Sequence, residues 1–380
     1  MATRGRFGAI AGIALLGLVV TACSSAGPTT TTGAMVLAAP GAGADCPRTP
    51  APPGAPPGGS VPVAKTVKPT STRSSTVISP SGPQMRCGRV EVTMRQDITY
   101  ASPAVGGEPH DLRLDLQIPR TKGLKPLVVH LPGGGFSRAD KGANLDGRTY
   151  VAERGYAVAS VEYRTTSTGS TYRDGVADVK SAVRYLRAHA DELGIDTTRV
   201  AVWGQSAGGY LAAMTGATNG RERFERGDHL DRSSDVQAVV DQFGASDLSK
   251  IADDFDAETR AVYMAPGSFI NAYVFGPNST GTVATDRAAS RAADPATYLG
   301  PSSAPVVMLH GDDDHIISPS QSLILLDALK AKRVDGARYV VKGADHGDLS
   351  FLGDTEAGKK WTTRKVMDTI TRHLDKELRR

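Results

Sequence analysis

A serine inside a glycine-flanked turn is the first candidate for chemistry in this sequence. Residues 204–208 read Gly-Gln-Ser-Ala-Gly, after the apolar run 200–203 and before the small-residue run 209–214. A strand, a sharp turn and a helix in this order hold the serine in a strained backbone conformation and expose its hydroxyl for nucleophilic attack. The pentapeptide alone is common in glycine-rich chains, but its place between a strand pattern and a helix pattern predicts Ser206 as a nucleophile.

A nucleophilic serine needs a base and an acid, and two later loops offer them. His346 follows an apolar run, and an acidic loop that contains Asp313 and Asp314 precedes it in the chain. Serine, aspartate and histidine in this order form the triad of α/β-hydrolases. His346 would accept the proton of Ser206, and an aspartate would fix the imidazole tautomer. The acidic loop must turn back before a carboxylate reaches the site, which favours Asp314 and leaves Asp313 as the alternative.

Backbone N–H donors for an oxyanion are predicted on two segments. The glycine-rich loop 132–136 follows the apolar run 127–131, and Ala207 offers the N–H directly after the nucleophile. Such donors stabilise the negative oxygen of a tetrahedral intermediate. The alternative interpretation, a phosphate cradle, lacks the Gly-Lys-Ser/Thr of a P-loop and a Gly-x-Gly-x-x-Gly that begins a helix. We therefore expect an oxyanion hole between this loop and the nucleophile.

Alternating strands and helices must position these loops. The predicted strands are 90–94, 110–118, 127–131, 156–163, 200–203, 236–240, 305–309 and 337–341, and the predicted helices are 176–190, 320–332 and 359–378. The first two strands alternate apolar and polar residues, whereas most of the later ones are continuously apolar, as strands buried on both faces are. The pattern predicts an α/β fold with a mostly parallel central sheet, helices on both faces and chemistry at the carboxyl ends of the strands. Together with the order of serine, aspartate and histidine along the chain, it favours the α/β-hydrolase fold.

Composition and charge exclude several function classes. The chain has 380 residues and a formal net charge of +4, to which Arg4 and Arg6 of the N-terminal segment contribute. This weak excess gives no basis for nucleic-acid binding. Three adjacent acids without partner ligands elsewhere are a weak metal signal. We expect no cofactor, no metal and no nucleic-acid partner.

The N-terminal segment predicts export. Residues 1–22 combine Arg4 and Arg6 with an uncharged apolar stretch, as a signal peptide does, and residues 20–23 read Val-Thr-Ala-Cys, which resembles a bacterial lipobox. Cys23 would then carry the lipid that anchors the protein to the extracytoplasmic face of the cell membrane. Ordinary signal cleavage is the alternative.

A Pro-, Thr- and Ser-rich stretch follows the signal segment. Residues 23–85 have few large apolar side chains to offset the entropy of ordering, so we predict a disordered tether, followed by a catalytic domain over residues 86–380. Cys46 lies within the tether and Cys87 just after it. Export permits a disulfide between these two cysteines, and free thiols are the alternative.

Eight short motifs occur in one order from residue 112 to the end of the chain. They are Leu114-Asp115-Leu116, Gly133-Gly134-Gly135-Phe136, Arg154-Gly155-Tyr156-Ala157-Val158, Ser160-Val161-Glu162-Tyr163-Arg164, Asp178-Val179-Lys180, Gly204-Gln205-Ser206-Ala207-Gly208-Gly209, His310-Gly311 with Asp314, and Gly343 with His346-Gly347. In this order they resemble a bacterial α/β-hydrolase family of carboxylesterases that includes acetyl-xylan and feruloyl esterase-like enzymes, near the hormone-sensitive-lipase group.

The resemblance assigns roles to individual positions. It implies Ser206, Asp314 and His346 as the triad and Gly134, Gly135 and Ala207 as oxyanion donors. The family usually has a histidine directly before the three glycines, where this chain has Pro132, and His130 lies two residues earlier. Proline stiffens the loop and removes a side chain that could orient it. Two further matches, Arg164 and Asp178, are interpreted as an ion pair beneath the site.

The predicted function is that of a serine carboxylesterase. It would hydrolyse small or medium acyl esters, free or linked to polysaccharide, through an acyl-enzyme. The aromatic-rich segment 247–298 is predicted to form a small cap over the acyl pocket. Two alternatives are a serine peptidase of the prolyl-oligopeptidase kind and a non-catalytic hydrolase-fold binding protein of the cell envelope. The peptidases usually carry a large extra domain, and the intact set of triad residues argues against the binding protein.

Overall fold

Parallel strands make up most of the central sheet. The computed structural model describes residues 35–37, 41–48, 61–347 and 355–379, so the predicted signal segment and Cys23 lie outside the described residues. The strands are β1 Met35–Leu37, β2 Thr76–Ile78, β3 Val92–Ala101, β4 Ala104–Val105, β5 Glu108–Pro109, β6 Leu112–Pro119, β7 Lys125–Leu131, β8 Ala157–Val161, β9 Ile195–Gln205, β10 Ala238–Gln242, β11 Val306–Gly311 and β12 Gly336–Val341. The large sheet has the order β1-β3-β6-β8-β7-β9-β10-β11-β12-β2, and β4 pairs with β5 separately.

The mode of strand pairing changes once across this sheet, from antiparallel to parallel. β1, β3, β6 and β8 pair antiparallel with their neighbours in that order, and the strands from β8 through β7 to β12 and β2 pair parallel. The carboxyl ends of β7, β9, β11 and β12 therefore meet at one edge, where the predicted site loops begin.

Helices cover both faces of the sheet. They are α1 Leu145–Ala152, α2 Tyr172–Ala188, α3 Ala190–Leu193, α4 Ala207–Ala217, α5 Ala257–Met264, α6 Phe269–Phe275, α7 Arg287–Ala292, α8 Gln321–Ala331, α9 Thr355–Trp361 and α10 Arg364–Leu378. The helix predicted over 359–378 is divided because Thr363 has an extended backbone. No helix of the described ranges combines the length and the apolar character that crossing a bilayer requires.

Two apolar cores follow from the alternation of side chains along the buried strands. Leu127 and Val202 belong to the core on one face together with α2 and α4. Val128 and Trp203 belong to the core on the other face together with α1 and α10. Because successive side chains of a strand point to opposite faces, a strand covered on both sides must be apolar at nearly every position. The predicted fold class, a mostly parallel sheet between helices, is confirmed.

Part of the predicted tether is not disordered. Within residues 61–85, Ala64, Ile78 and Met85 are buried, and β2 pairs parallel with β12 at the edge of the sheet. Isolated small and β-branched residues in a proline-rich stretch have no periodicity, so no pattern in the sequence predicts this packing. Their contacts are with residues far along the chain, and the domain begins before residue 86.

Cys46 and Cys87 are joined by a disulfide. The bond lies beside a short bridge in which Cys87 N–H donates to Ala44 O at 2.9 Å. Glu153 accepts hydrogen bonds from the backbone N–H groups of Gly88 and Arg89, at 2.7 and 3.3 Å. The described residues 41–48 are thereby attached to the main domain.

Candidate active site

The turn after β9 holds Ser206 in a conformation that few residues adopt. Its backbone has φ 54° and ψ −120°, directly before α4. A Cβ on Gly204 would lie 1.9 Å from Gly208 O, and one on Gly208 would lie 2.0 Å from Leu131 O. Both flanking positions therefore require glycine, and the left-handed φ of Ser206 marks a strained turn held by its surroundings.

A hydrogen-bond chain joins the three predicted triad residues. Ser206 Oγ lies 2.9 Å from His346 Nε2. On the other side of the imidazole, Nδ1 lies 2.9 Å from Asp314 Oδ2 and 3.1 Å from Oδ1. Since a carboxylate can only accept, Nδ1 carries the proton and Nε2 is left to accept the Ser206 hydroxyl proton. The chain thus has the polarity that general-base activation of a serine requires.

The Asp314 carboxylate is held by backbone donors as well as by His346. Its Oδ1 accepts from the N–H groups of Ile316 and Ile317, each at 2.9 Å. Burial alone would raise the pKa of Asp314, but the adjacent His346 and the hydrogen bonds from His310 and His346 hold it well below its usual range. Asp314 is therefore ionised and fixed in orientation. Asp313, the alternative from the sequence, is exposed.

His310 is a neighbour of the triad that sequence reasoning did not single out. It lies on β11, is 1% exposed, and its Nε2 is 3.1 Å from both Asp314 Oδ2 and Ile317 O. Two acceptors at Nε2 mean that this nitrogen carries the proton and that His310 is a donor to the carboxylate. In the sequence, His310 was only part of the matching His310-Gly311 motif, because packing alone can explain a histidine on a buried strand.

The loops that carry Asp314 and His346 are tied together by Asp345. Its Oδ1 accepts from the N–H of His315 at 3.0 Å and from that of His346 at 2.6 Å. The imidazole of His346 packs against the edge of Phe243 at 5.0 Å between ring centroids. A Cβ on Gly347 would lie 2.0 Å from the Phe243 ring, so the residue after the base must be glycine.

The glycine loop after β7 lies directly against Ser206. A Cβ on Gly133 would be 3.0 Å from Ser206 Cβ, and Gly134 and Gly135 have φ of 157° and 60°. The N–H groups of Gly134, Gly135 and Ala207 have no acceptor among the residues that the structure describes. Unpaired donors beside a nucleophile suit an oxyanion hole.

Tyr163 anchors the glycine loop, and no pattern in the sequence predicted this contact. Its buried hydroxyl donates to Pro132 O at 2.5 Å. His130, which precedes Pro132 by two residues, points into the sheet instead, with Nδ1 3.0 Å from Ser160 Oγ. Burial, reinforced by the charge of Arg148, lowers the pKa of His130 well below its usual value. The Tyr163 hydroxyl thus holds the glycine loop of this chain, and His130 stays neutral in its buried position beside Ser160.

The predicted cap segment contacts the glycine loop through aromatic stacking. Phe136, at the end of the loop, stacks on Tyr273 of α6 with 4.2 Å between centroids, and Phe269 lies at 6.3 Å. Tyr263 of α5 places its hydroxyl 2.8 Å from Ile316 O on the acidic loop. The helices of this segment therefore touch both the oxyanion side and the acid side of the site.

Arg164 and Asp178 form the ion pair interpreted from the sequence. Arg164 Nη2 lies 2.7 Å from Asp178 Oδ1, and its Nε lies 3.0 Å from Oδ2. The paired guanidinium and carboxylate hold the chain after β8 against α2. Bidentate pairs of this kind fix geometry as well as charge.

Asp241 is a buried carboxyl behind the elbow. Its Oδ1 accepts from Gly244 N–H at 2.9 Å, and a Cβ on Gly209 would lie 2.4 Å from the same oxygen. Burial, partly opposed by the Gly244 hydrogen bond, raises the pKa of Asp241 to about 7. The group is thus protonated in the folded state well above the pH at which it ionises in the unfolded chain.

Asp241→Asn should make the stability less dependent on pH. Between about pH 4, where an unfolded aspartate ionises, and about pH 7 the folded state keeps a proton that the unfolded state has released. The stabilising contribution is therefore complete below about pH 4 and lost as the pH rises through 7. Asparagine keeps the acceptor without ionising, so the mutant should gain stability relative to wild type by on the order of 2–4 kcal/mol between pH 4 and 8. Urea unfolding at pH 5, 6, 7 and 8 measures this gain.

The matched control for that experiment is Asp313→Asn. Asp313 is exposed, so its substitution should leave the pH dependence of the wild type unchanged. A free-energy difference between Asp241→Asn and wild type that is the same at pH 5 and pH 8 would contradict the prediction.

A family model covers most of the core of the chain. The model described as BD-FAE matches residues 114–329, which is more than half of the 380 residues. The matched range contains the elbow, the glycine loop and the acidic loop.

Curated relatives of this chain are ester hydrolases. LipM of Mycobacterium tuberculosis, named a probable carboxylic ester hydrolase, is 27% identical over 236 residues, 62% of this chain and 52% of that protein. A probable isoprenylcysteine alpha-carbonyl methylesterase of Arabidopsis thaliana is 30% identical over 270 residues, 70% of this chain and 60% of that protein. The chain thus spans between half and two thirds of the length of these relatives.

Solved structures share the fold. A truncated carbohydrate esterase from gut microbiota superposes with a TM-score of 0.61 at 20% identity, over 76% of this chain and 96% of that chain. A thermophilic esterase from Thermogutta terrifontis gives a TM-score of 0.57 at 23% identity, over 74% of this chain and 91% of that chain. At these identities the similarity establishes the α/β-hydrolase fold.

Proposed function

Because the chain belongs to the BD-FAE family of α/β-hydrolase esterases, we propose that it is a serine carboxylesterase with Ser206, His346 and Asp314 as its triad. The observation that carries the proposal is the unbroken hydrogen-bond chain from Ser206 Oγ through His346 to Asp314, with 2.9 Å at each step. A non-catalytic binding protein would have no need for a strained serine at the end of that chain.

The proposed reaction has two acyl-transfer steps. His346 Nε2 takes the hydroxyl proton as Ser206 Oγ attacks the ester carbonyl carbon, and the carbonyl oxygen becomes an oxyanion. Collapse of this intermediate breaks the bond to the alcohol oxygen, which leaves with the proton from Nε2. Water then attacks the acyl-enzyme in the same way and releases the carboxylic acid, so Ser206 and His346 return to their starting states.

Charge develops at two points in each step, and the site offers a partner for each. The imidazolium formed on His346 faces the ionised Asp314. The oxyanion would be bound by the N–H groups of Gly134, Gly135 and Ala207, whose lack of another acceptor in the described part of the chain supports this role. A loop anchored by the Tyr163 hydroxyl would keep these donors in place without the usual histidine.

The proposed substrates are small or medium acyl esters, including acyl groups on polysaccharide. The short helix α6 brings Phe269 and Tyr273 close to Phe136 of the glycine loop, and aromatic side chains in this position would suit a compact apolar acyl group. Relatives named as a methylesterase and a carbohydrate esterase support small groups on larger carriers.

A fluorophosphonate probe and an ester panel test the proposal together. The probe should label Ser206 in folded protein and fail to label it after heat denaturation. Acetate and butyrate esters of p-nitrophenol should be hydrolysed faster than the palmitate ester and faster than aminoacyl amides. Absence of a Ser206 adduct would refute the esterase, and faster turnover of amides than of esters would indicate a peptidase instead.

We also propose export and lipid anchoring at Cys23, which lies outside the described residues. The Cys46–Cys87 disulfide supports an oxidising compartment. The membrane fraction of expressing cells should contain protein whose mature N-terminus is a lipidated cysteine, and Cys23→Ser should move the protein out of that fraction. An intact mass that corresponds to an unmodified N-terminus would refute the anchor.

A further inference from the structure

The segment 61–68, here called the strap, runs along the start of the cap. Lys68 N–H donates to Asp254 O at 2.7 Å, and Val67 bridges to Phe255. Lys65 N–H donates to Asp256 Oδ2 at 2.8 Å. These hydrogen bonds from strap N–H groups, one to a backbone carbonyl and one to a carboxylate, fix the strap along the start of the cap segment.

The other end of the strap reaches both sides of the active site. A Cβ on Gly135 would lie 2.8 Å from Val61 Cγ2, so Val61 packs directly on the glycine loop. Ala64 N–H donates to His315 O at 2.8 Å, one residue after Asp314. A span of three residues, at most about 10 Å long, thus connects the oxyanion side to the acid side.

One cap residue clamps the strap to the acidic loop. The hydroxyl of Tyr263 lies 2.8 Å from Pro62 O and 2.8 Å from Ile316 O, so one hydroxyl proton serves both carbonyls. Tyr263 is fully buried and packs edge-on against Phe269, which in turn faces Phe136 of the glycine loop. The strap therefore belongs to the same packed unit as the cap and the two site loops.

Val61 lies beside the loop that would face the carbonyl oxygen of a bound ester. His346 Nε2 must lie near the alcohol oxygen, because it protonates that oxygen when the alcohol leaves. The carbonyl oxygen must face the glycine loop. The strap end that touches this loop is Val61, a partly buried apolar side chain packed against the main core. Val61 thus packs on the loop that would bind the carbonyl oxygen of the acyl group.

We propose that the strap forms a wall of the substrate site and that Val61 is a specificity-determining residue that limits acyl-chain length. This inference rests on the proposed esterase function and adds to it a residue from a segment that the sequence assigns to a tether. A methylene group gained or lost in an apolar pocket changes discrimination by about 10-fold or more. Val61 is partly buried and apolar, so a change in its size would change the room beside the glycine loop.

The test changes Val61 in the full chain and measures acyl selectivity. The probes are p-nitrophenyl acetate, butyrate and hexanoate, and the quantity is the ratio of kcat/KM for each longer ester to that for acetate. Val61→Ala should raise the butyrate and hexanoate ratios by about 3- to 10-fold, and Val61→Phe should lower them by about 10-fold. Because each ratio is taken to the acetate value of the same variant, a general change in activity cancels and only a change in acyl selectivity remains.

Val63 provides the matched control on the same strap. It is 49% exposed, so Val63→Ala and Val63→Phe should leave every ratio within about 2-fold of wild type. Equal ratios in the Val61 and Val63 variants would overturn the inference, as would a Val61 series that lowers all three esters equally. If the wild-type protein neither reacts with fluorophosphonate nor hydrolyses acetate, the proposed function is refuted and the inference with it. If the wild type is active and the Val61 variants keep its acyl selectivity, only the inference is refuted.

Discussion

Ser206→Ala is expected to lower kcat for p-nitrophenyl acetate by about 10⁵- to 10⁶-fold, the scale on which serine hydrolases lose activity without their nucleophile. The acyl-enzyme cannot form because no oxygen remains at the position 2.9 Å from His346 Nε2. The remaining rate would come from substrate binding and the oxyanion donors alone. Steady-state kinetics with a fluorophosphonate titration of active sites measure this loss.

The same variant should keep its fold. Alanine has a Cβ as serine does, so it can occupy the same turn. The backbone hydrogen bond from residue 206 N–H to Gln242 O, at 2.9 Å, does not depend on the hydroxyl. Circular dichroism and a thermal melt close to those of wild type would show that the loss is chemical. Retention of more than about 1% of wild-type kcat would contradict the role of Ser206 as nucleophile.

Asp314→Asn is expected to lower kcat by about 10⁴-fold while leaving the protein folded. An amide at this position can donate to Nδ1 of His346, which would place the ring proton on Nε2. A protonated Nε2 cannot accept the hydroxyl proton of Ser206, so the imidazole is present but in the wrong tautomer. Because the effect acts on proton transfer, KM should change much less than kcat.

Asp313→Asn is the matched control, since it makes the same chemical change one residue away. Asp313 is exposed and Asp314 is 0% exposed, so the control should keep kcat within about 2-fold of wild type. A larger loss in Asp313→Asn than in Asp314→Asn would reverse the assignment of the acid, because these two aspartates are the alternatives that the sequence leaves open.

The residues that could be predicted from short sequence motifs are those whose geometry is set by their neighbours in sequence. The Gly-x-Ser-x-Gly turn could be predicted because its glycines are required by contacts within the turn and with the adjacent β7 end. The mostly parallel sheet and the two loops that carry Asp314 and His346 were predicted from the alternation of strands and helices, whereas the order of the strands was not. The sequence also selected three side chains that lie within hydrogen-bond distance of one another, and their roles stay a prediction.

Other parts of the site depend on contacts between distant residues, which no local pattern encodes. Tyr163 reaches Pro132 O across 31 positions, and nothing around Tyr163 separates this hydroxyl from that of an ordinary strand-end tyrosine. The strap, which was predicted to be part of a disordered tether, is the larger error. Low apolar content predicts disorder only when a segment has no partner surface. Here the partner is the cap, almost 200 residues later, where Lys65 N–H meets Asp256 at a separation of 191.

The outermost strands of the sheet have a consequence for solubility. Both are three-residue strands from the N-terminal segment: β1 lies on β3, and β2 lies on β12. Short edge strands offer few free N–H and C=O groups to another molecule, which discourages edge-to-edge aggregation. Without β2, the six-residue β12 would become an open edge. A segment that looks like a dispensable linker thus keeps the catalytic sheet from acting as a template for its own copies.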